Sequence, residues 1–238
     1  MNIGGKGSEV GVRQARFVLG IDTCGPTGSV ALGSCNGSRL QIVEQIELEG
    51  RSYSATLMRA IADVLAHAAA SVSTLGAIVV ANGPGSFTGV RIGLSAAKGL
   101  AEPAQIPVAA VSRLAVLAGQ AGVGSSALDA HRHEVFLRLG RPAAPPQDLL
   151  AGVAELAAIR EEHGPIALCD DAAAALLSSA CQTVKCVRVP APTAADALQH
   201  WASIGARNAF VDLALLDGHY LRRSDAEIFG EPSPAHSA

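Results

Sequence analysis

The stretch Phe17–Gly33, FVLGIDTCGPTGSVALG, is an apolar run that ends in an acid, turns through glycine and proline, and comes back apolar. Apolar runs bounded by such turn formers spell a β-hairpin. The sequence predicts a strand over Phe17–Asp22, a polar turn over Thr23–Gly28 and a returning strand over Ser29–Gly33. A similar unit stands in the second half, where Asp129 opens a turn and Glu134–Leu139 runs back to Gly140. In both units the closing glycine lies eleven residues after the aspartate. Two such hairpins predict a duplicated α/β architecture of two lobes, residues 17–103 and 104–223.

Between the hairpins, the run Leu40–Leu48 reads as a third strand and Ser52–Ala69 as a helix. Gly76–Ala81 (GAIVVA) is continuously apolar, as a strand buried on both faces should be. The loop Asn82–Gly89 then opens a helix to about Ala101; Pro103 and Pro107 punctuate the chain, and Ile106–Val111 begins a second block. Further on, Pro142–Pro146 reads as a loop, Gln147–His163 and Ala172–Cys181 as Ala/Leu-rich helices, and Ile166–Asp170 and Val184–Val189 as strands. Thr193–Phe210 is a last helix, capped by Thr193 with Asp196 as its capping-box partner. Residues 1–16 are expected to be a flexible leader, and residues 224–238 a disordered tail.

Of the 238 residues, 49% are apolar and 16% charged, so a sizeable core is available and wholesale disorder is excluded. Aromatics make up only 3%, which argues against a base-stacking surface. Net charge is +2 over residues 1–16, −1 over 17–103 and −4 over 104–238, so neither lobe has the basic balance of a nucleic-acid binder. No run reaches the roughly 18 apolar residues of a membrane span. The five cysteines are scattered, with no C-x-x-C pair, which suits buried thiols in a reducing cytoplasm rather than a zinc or disulfide framework.

The loop after Ala81 carries the densest signal. Gly83, Gly85 and Gly89 allow tight turns and present N–H groups at a helix start, and Ser86 and Thr88 add hydroxyls. This suits either an anion-binding loop or a plain strand-to-helix turn with a cap. It is no P-loop, since G-x-x-x-x-G-K-[ST] is absent. Asp22 and Asp129 sit where strands end, a place for a metal–nucleotide ligand or for an Asx turn. The seven histidines include no H-x-x-x-H, so no metal site is assigned to them. On the first helix Leu57, Ile61, Leu65 and Ala68 make a core face, while Met58, Ala62, Ala66 and Ala69 make a second, smooth face beside it. On the next helix Val90, Leu94, Ala97 and Ala101 form one stripe, and Gly93, Ala96 and Leu100 another. The small-residue stripes are either core or a helix-packed protein interface.

The blocks VLGIDTCGPTGSVAL (Val18–Leu32), ANGPGSFTGVRIGLSAAKGLA (Ala81–Ala101), PVAAVSRLAVLA (Pro107–Ala118), ALDAHRHEVF (Ala127–Phe136) and YLRR (Tyr220–Arg223) together resemble the bacterial TsaB family. The resemblance implies a two-lobed actin/hexokinase-like fold. It also implies a role in making threonylcarbamoyladenosine beside the tRNA anticodon, with TsaD as catalytic paralogue and TsaE as ATPase partner. In TsaD a V-N-H-x-x-x-H segment binds the catalytic metal; here Arg113 and Leu117 stand at the two histidine positions, and neither can ligate a metal. Cys24-Gly25-Pro26, where the family often has Ser-Thr, departs from a phosphate-holding turn, so Asp22, Thr23, Gly83, Gly85, Ser86 and Thr88 are at most a vestigial nucleotide or anion loop.

The expectation that follows is a non-catalytic scaffold, without metal or cofactor of its own, that pairs with TsaD through Met58, Ala62, Ala66, Ala69, Gly93, Ala96 and Leu100. ATP or ADP at the partner interface stays open, tRNA is met only through the complex, and a homodimer through the same apolar face is an alternative for the isolated chain. Two enzymatic readings stand against it. One is a sugar-kinase-like phosphotransferase using Asp22, Asp129 and the Gly83–Gly89 loop; the other is a metalloprotease, against which the missing histidines count.

Overall fold

The computed structural model describes residues 17–36, 39–49, 52–141, 144–181, 183–205 and 210–222. The chain opens with an antiparallel meander of β1 (Phe17–Asp22), β2 (Thr27–Asn36) and β3 (Arg39–Glu49). Helix α1 (Tyr53–His67) leads to β4 (Leu75–Ala81), parallel to β1, and α2 (Phe87–Ala104) leads to β5 (Val108–Val111), parallel to β4. After α3 (Arg113–Gln120) the pattern begins again. The second meander is β6 (Ser125–Asp129), β7 (Val135–Arg141) and β8 (Ala144–Ala151). Then come α4 (Val153–Ala157), β9 (Ile166–Leu168), α5 (Asp171–Ala180) and β10 (Cys186–Arg188), followed by α6 (Ala194–Ser203) and β11 (Phe210–Val211).

The sheets run β11-β5-β4-β1-β2-β3 and β10-β9-β6-β7-β8. From the edge inward each repeats one order, 3-2-1-4-5 in the first and 8-7-6-9-10 in the second. The duplication first visible as two hairpins therefore spans five strands on each side. The last helix of each repeat crosses over: α3 packs on the second sheet, α6 packs on the first, and the two helices meet between them.

That crossing explains the apolar run in β4. Ile78 and Val80 enter the core beneath α1 and α2, while Ala77 and Val79 enter the core beneath α6. Both faces are covered, so alternation disappears. Gly20 on β1 makes room for α6, since a Cβ there would lie 2.8 Å from the Ala194 carbonyl oxygen and from Leu198 Cγ.

Four expectations change. The division at residue 103 does not follow the sheets, because β5, α6 and β11 all belong to the first. The helix expected over Gln147–His163, and the end of the Pro142–Pro146 loop, are instead edge strand β8, the single turn of α4 and a 3-10 turn at Glu161–His163. Pairing with β7 overrides the helical leaning of Ala and Leu, and an edge strand tolerates Pro145 and Pro146. Helix α2 runs past Pro103 to Ala104 and closes on Gln105 in the left-handed region, so the proline costs only the last turn. Helix α6 stops at Ser203, well short of Phe210, which lies in β11 beside β5. The expected leader and tail lie outside the described residues. Among the described residues no helix is long and apolar enough to cross a membrane.

Candidate functional site

Strand β1 delivers Asp22 to a place where its side chain is 2% exposed. A carboxylate so deeply buried needs a partner for its charge. Asp22 Oδ1 accepts the Cys24 N–H at 2.8 Å, which ties the turn, and Oδ2 accepts from Arg113 Nε at 3.0 Å. Arg113 is the first residue of α3, the helix that crosses to the second sheet, and its side chain is 6% exposed. The ion pair therefore joins the two halves of the molecule. The Arg113 backbone is fixed as well, its N–H donating to the Gly83 carbonyl at 2.7 Å.

The buried charges tune their neighbours. Burial opposes the charge on Arg113, but the Asp22 carboxylate, with Cys24 and Cys169 adding to it, moves the guanidinium pKa up on balance. Burial first, and then Asp22, hold the Cys24 thiol well above its usual range. The same two causes push the Tyr53 phenol up to about 12. Cys24 is thus a protonated donor to the Ala81 carbonyl at 3.2 Å, not a nucleophile. The Tyr53 hydroxyl donates to the Gly25 carbonyl at 2.8 Å.

The glycine-rich loop lies directly on this turn. Ser86 N–H donates to the Cys24 carbonyl at 2.8 Å, and the Thr23 hydroxyl donates to the Gly89 carbonyl at 2.7 Å. Ser86 Oγ caps α2 by accepting from Gly89 N–H at 3.3 Å. A Cβ would come within 2.0 Å of the Thr23 carbonyl oxygen at Gly89 and 2.3 Å of the Cys24 carbonyl oxygen at Gly85. These glycines serve contact between two backbone segments; only Gly83, with φ of 109°, needs its conformational freedom. The structure brings Asp22, Thr23, Gly83, Gly85 and Ser86 together, while Thr88 lies exposed on the first turn of α2. A nucleotide with its divalent cation, which the fold implies, does not fit here. Asp22 already holds a cation, and the turn and the loop touch.

The second hairpin differs. Asp129, its side chain 26% exposed, accepts the His131 N–H at 2.8 Å and faces His131 Nδ1 at 2.8 Å. Its own N–H donates to Asp170, which caps α5. His131, Arg132 and His133 are all left-handed, and the turn borders a cavity of about 490 Å³ against α5. Among the described residues no group of three or more His, Cys, Asp and Glu side chains can hold a metal ion.

Residues 212–222, of which the sequence flagged only the Tyr220–Arg223 block, strap the two turns together. His219 N–H donates to the Asn82 carbonyl at 2.7 Å, and the Tyr220 ring lies 5.1 Å from Phe87. Arg222 reaches the Ala130 carbonyl and Glu134 on the other side.

The two helical faces separate as well. Leu57, Ile61 and Leu65 are buried, whereas Met58 (51% exposed), Ala62, Ala66 and Ala69 face outward. On α2, Ala96 and Leu100 are half-buried against the core. Gly93 is a correction: it is buried, and a Cβ would lie 2.5 Å from Thr23 Oγ1, so it serves the turn rather than an outer surface.

Known proteins match this arrangement. Residues 43–140 match the family model described as TsaD, tRNA N6-adenosine threonylcarbamoyltransferase. The tRNA threonylcarbamoyladenosine biosynthesis protein TsaB of Bacillus subtilis is 38% identical over 126 residues, covering 51% of this chain and 54% of that protein. Its Escherichia coli namesake is 34% identical, covering 50% and 52%. The chain spans about half the length of the curated relatives it matches. Likeness in structure extends further. A Pseudomonas aeruginosa protein described as similar to peptidase YeaZ superposes with a TM-score of 0.67 at 27% identity, covering 87% of this chain and 99% of that one. YeaZ from Pseudomonas aeruginosa superposes with a TM-score of 0.63, covering 86% and 99%. The duplicated sheets are those of the two-lobed actin/hexokinase-like fold, and over about half of its length the chain is similar in sequence to TsaB proteins.

Proposed function

We propose that this chain is a non-catalytic scaffold that pairs with the catalytic paralogue TsaD and so supports threonylcarbamoyl transfer to the adenosine beside the tRNA anticodon. The observation that carries this reading is a contrast within the first lobe. The inter-lobe turn, where a working member of this fold would hold its ligand, is filled by the Asp22–Arg113 pair. Meanwhile the outer face of α1, with Met58, Ala62, Ala66 and Ala69, is bare. Small residues let a partner helix approach closely, and Met58 offers an adaptable apolar anchor. In this reading Ala96 and Leu100 border the contact from α2. The Asp22–Gly89 unit is a relic of a nucleotide site, the chain works in the cytoplasm, and TsaE joins the assembled pair. Any ATP or ADP sits at the partner interface, tRNA is held mainly by the partners, and the free chain uses the same face for a homodimer.

The test is co-purification with TsaD from the same organism, followed by tRNA modification with and without this chain. The expected result is a stable pair, and modification that depends on the chain. ATP hydrolysis or phosphoryl transfer by the chain alone would instead favour the phosphotransferase reading.

A further inference from the structure

Arg113 does more than neutralise a buried acid. Its guanidinium lies close against Gly25: a Cβ on that glycine would stand 2.8 Å from one terminal nitrogen and 3.3 Å from Cζ. Asp22 Oδ2 receives Nε at 3.0 Å, and the Tyr53 hydroxyl closes the neighbouring carbonyl of Gly25. The cradle is thus an acid, a bare glycine backbone and a covered turn, all contributed by the first lobe. The cation that fills it comes from α3, which packs on the second sheet. We propose that Asp22 and Gly25 form a binding site for a planar guanidinium-type cation, and that the chain occupies this site itself by tethering the group through Arg113. Shortening Arg113 leaves the site in place but empty, open to a free cation of the same shape.

The proposal follows from the chain's own geometry and is independent of any pairing with TsaD. Its test is chemical rescue of the isolated full chain, comparing Arg113→Ala with the double variant Asp22→Asn/Arg113→Ala by thermal unfolding. The single variant strands a buried carboxylate and should melt about 10 °C or more below wild type. Millimolar methylguanidinium should restore part of that loss saturably, and sodium chloride at equal ionic strength should not. The double variant, with neither charge, should melt above the single one and ignore methylguanidinium. If Arg113→Ala fails to fold, recovery of its folded signal in methylguanidinium is the readout. Three results would overturn the proposal: equal melting of the two variants, failure of both to fold, or no response of the single variant. Rescue by magnesium chloride without rescue by methylguanidinium would overturn it too, and would make the site one for a divalent cation.

Discussion

The β1–β2 and β6–β7 hairpins are two copies of one device, yet their aspartates have opposite fates. Asp22 is sealed beneath the Gly83–Gly89 loop and holds a cation from the other half of the chain. Asp129 keeps a quarter of its side chain in solvent and satisfies its oxygens within its own turn. What differs is the covering. Helix α2 has 18 residues, and Gly89 and Gly93 let its first two turns touch the Asp22 turn; α5 has 10 residues and meets the Asp129 turn through the polar Asp170 cap. A carboxylate removed from water needs an opposite charge, and one left in water needs only a turn.

The largest effect expected from this contrast is Asp22→Asn, which strands the Arg113 charge and should cost about 3–5 kcal/mol of stability. Asp129→Asn should cost about 1 kcal/mol or less, since water screens what it loses. Equal losses in denaturant titrations would erase the distinction between the hairpins. Next comes Gly89→Val, which forces atoms into the Thr23 carbonyl and should cost about 3 kcal/mol, at the upper end of overpacking penalties. Tyr53→Phe should cost about 1 kcal/mol through its lost bond to Gly25. It also carries a pH signature. The phenol titrates near 10 when unfolded and near 12 when folded, so its contribution is complete below pH 10 and lost as pH rises towards 12. The variant's stability should be flatter across that window.

The smallest effect lies at α6. Burial, with Arg138 adding to it, lowers the His200 pKa. The unfolded chain therefore takes up a proton below about pH 6.5 that the folded chain resists, and stability falls with acid. His200→Gln should reduce that fall between pH 6.5 and 5, as read from melting curves across the range.

Much of the first lobe was legible because its signals are local. The run Phe17–Asp22 and the buried GAIVVA strand stand where the sequence puts them, and Thr193 caps α6 with Asp196 as read. The second lobe misled where tertiary pairing outweighs propensity. The run QDLLA has the composition of a helix, yet it completes the edge strand β8 against β7. At the site, the loop and the Asp22 turn could be named, but not their contact. Asp22 and Arg113 are 91 residues apart, and the sequence marked Arg113 only as a residue unable to bind metal. Gly93 resembled interface because a helical period cannot tell a face that meets another chain from one that meets Thr23.

In the proposed role the first lobe has closed its inner turn and works through its outer helix face. Titration calorimetry of Ala66→Glu against TsaD, beside the variant's own melting curve, tests it most directly. The substituted position is exposed in the free chain, and glutamate suits a helix, so the melting point should stay within about 2 °C of wild type. An unpaired charge buried by a partner should weaken association by about 100-fold, equivalent to about 2.8 kcal/mol. Unchanged affinity would contradict the account and place the partner elsewhere on the chain.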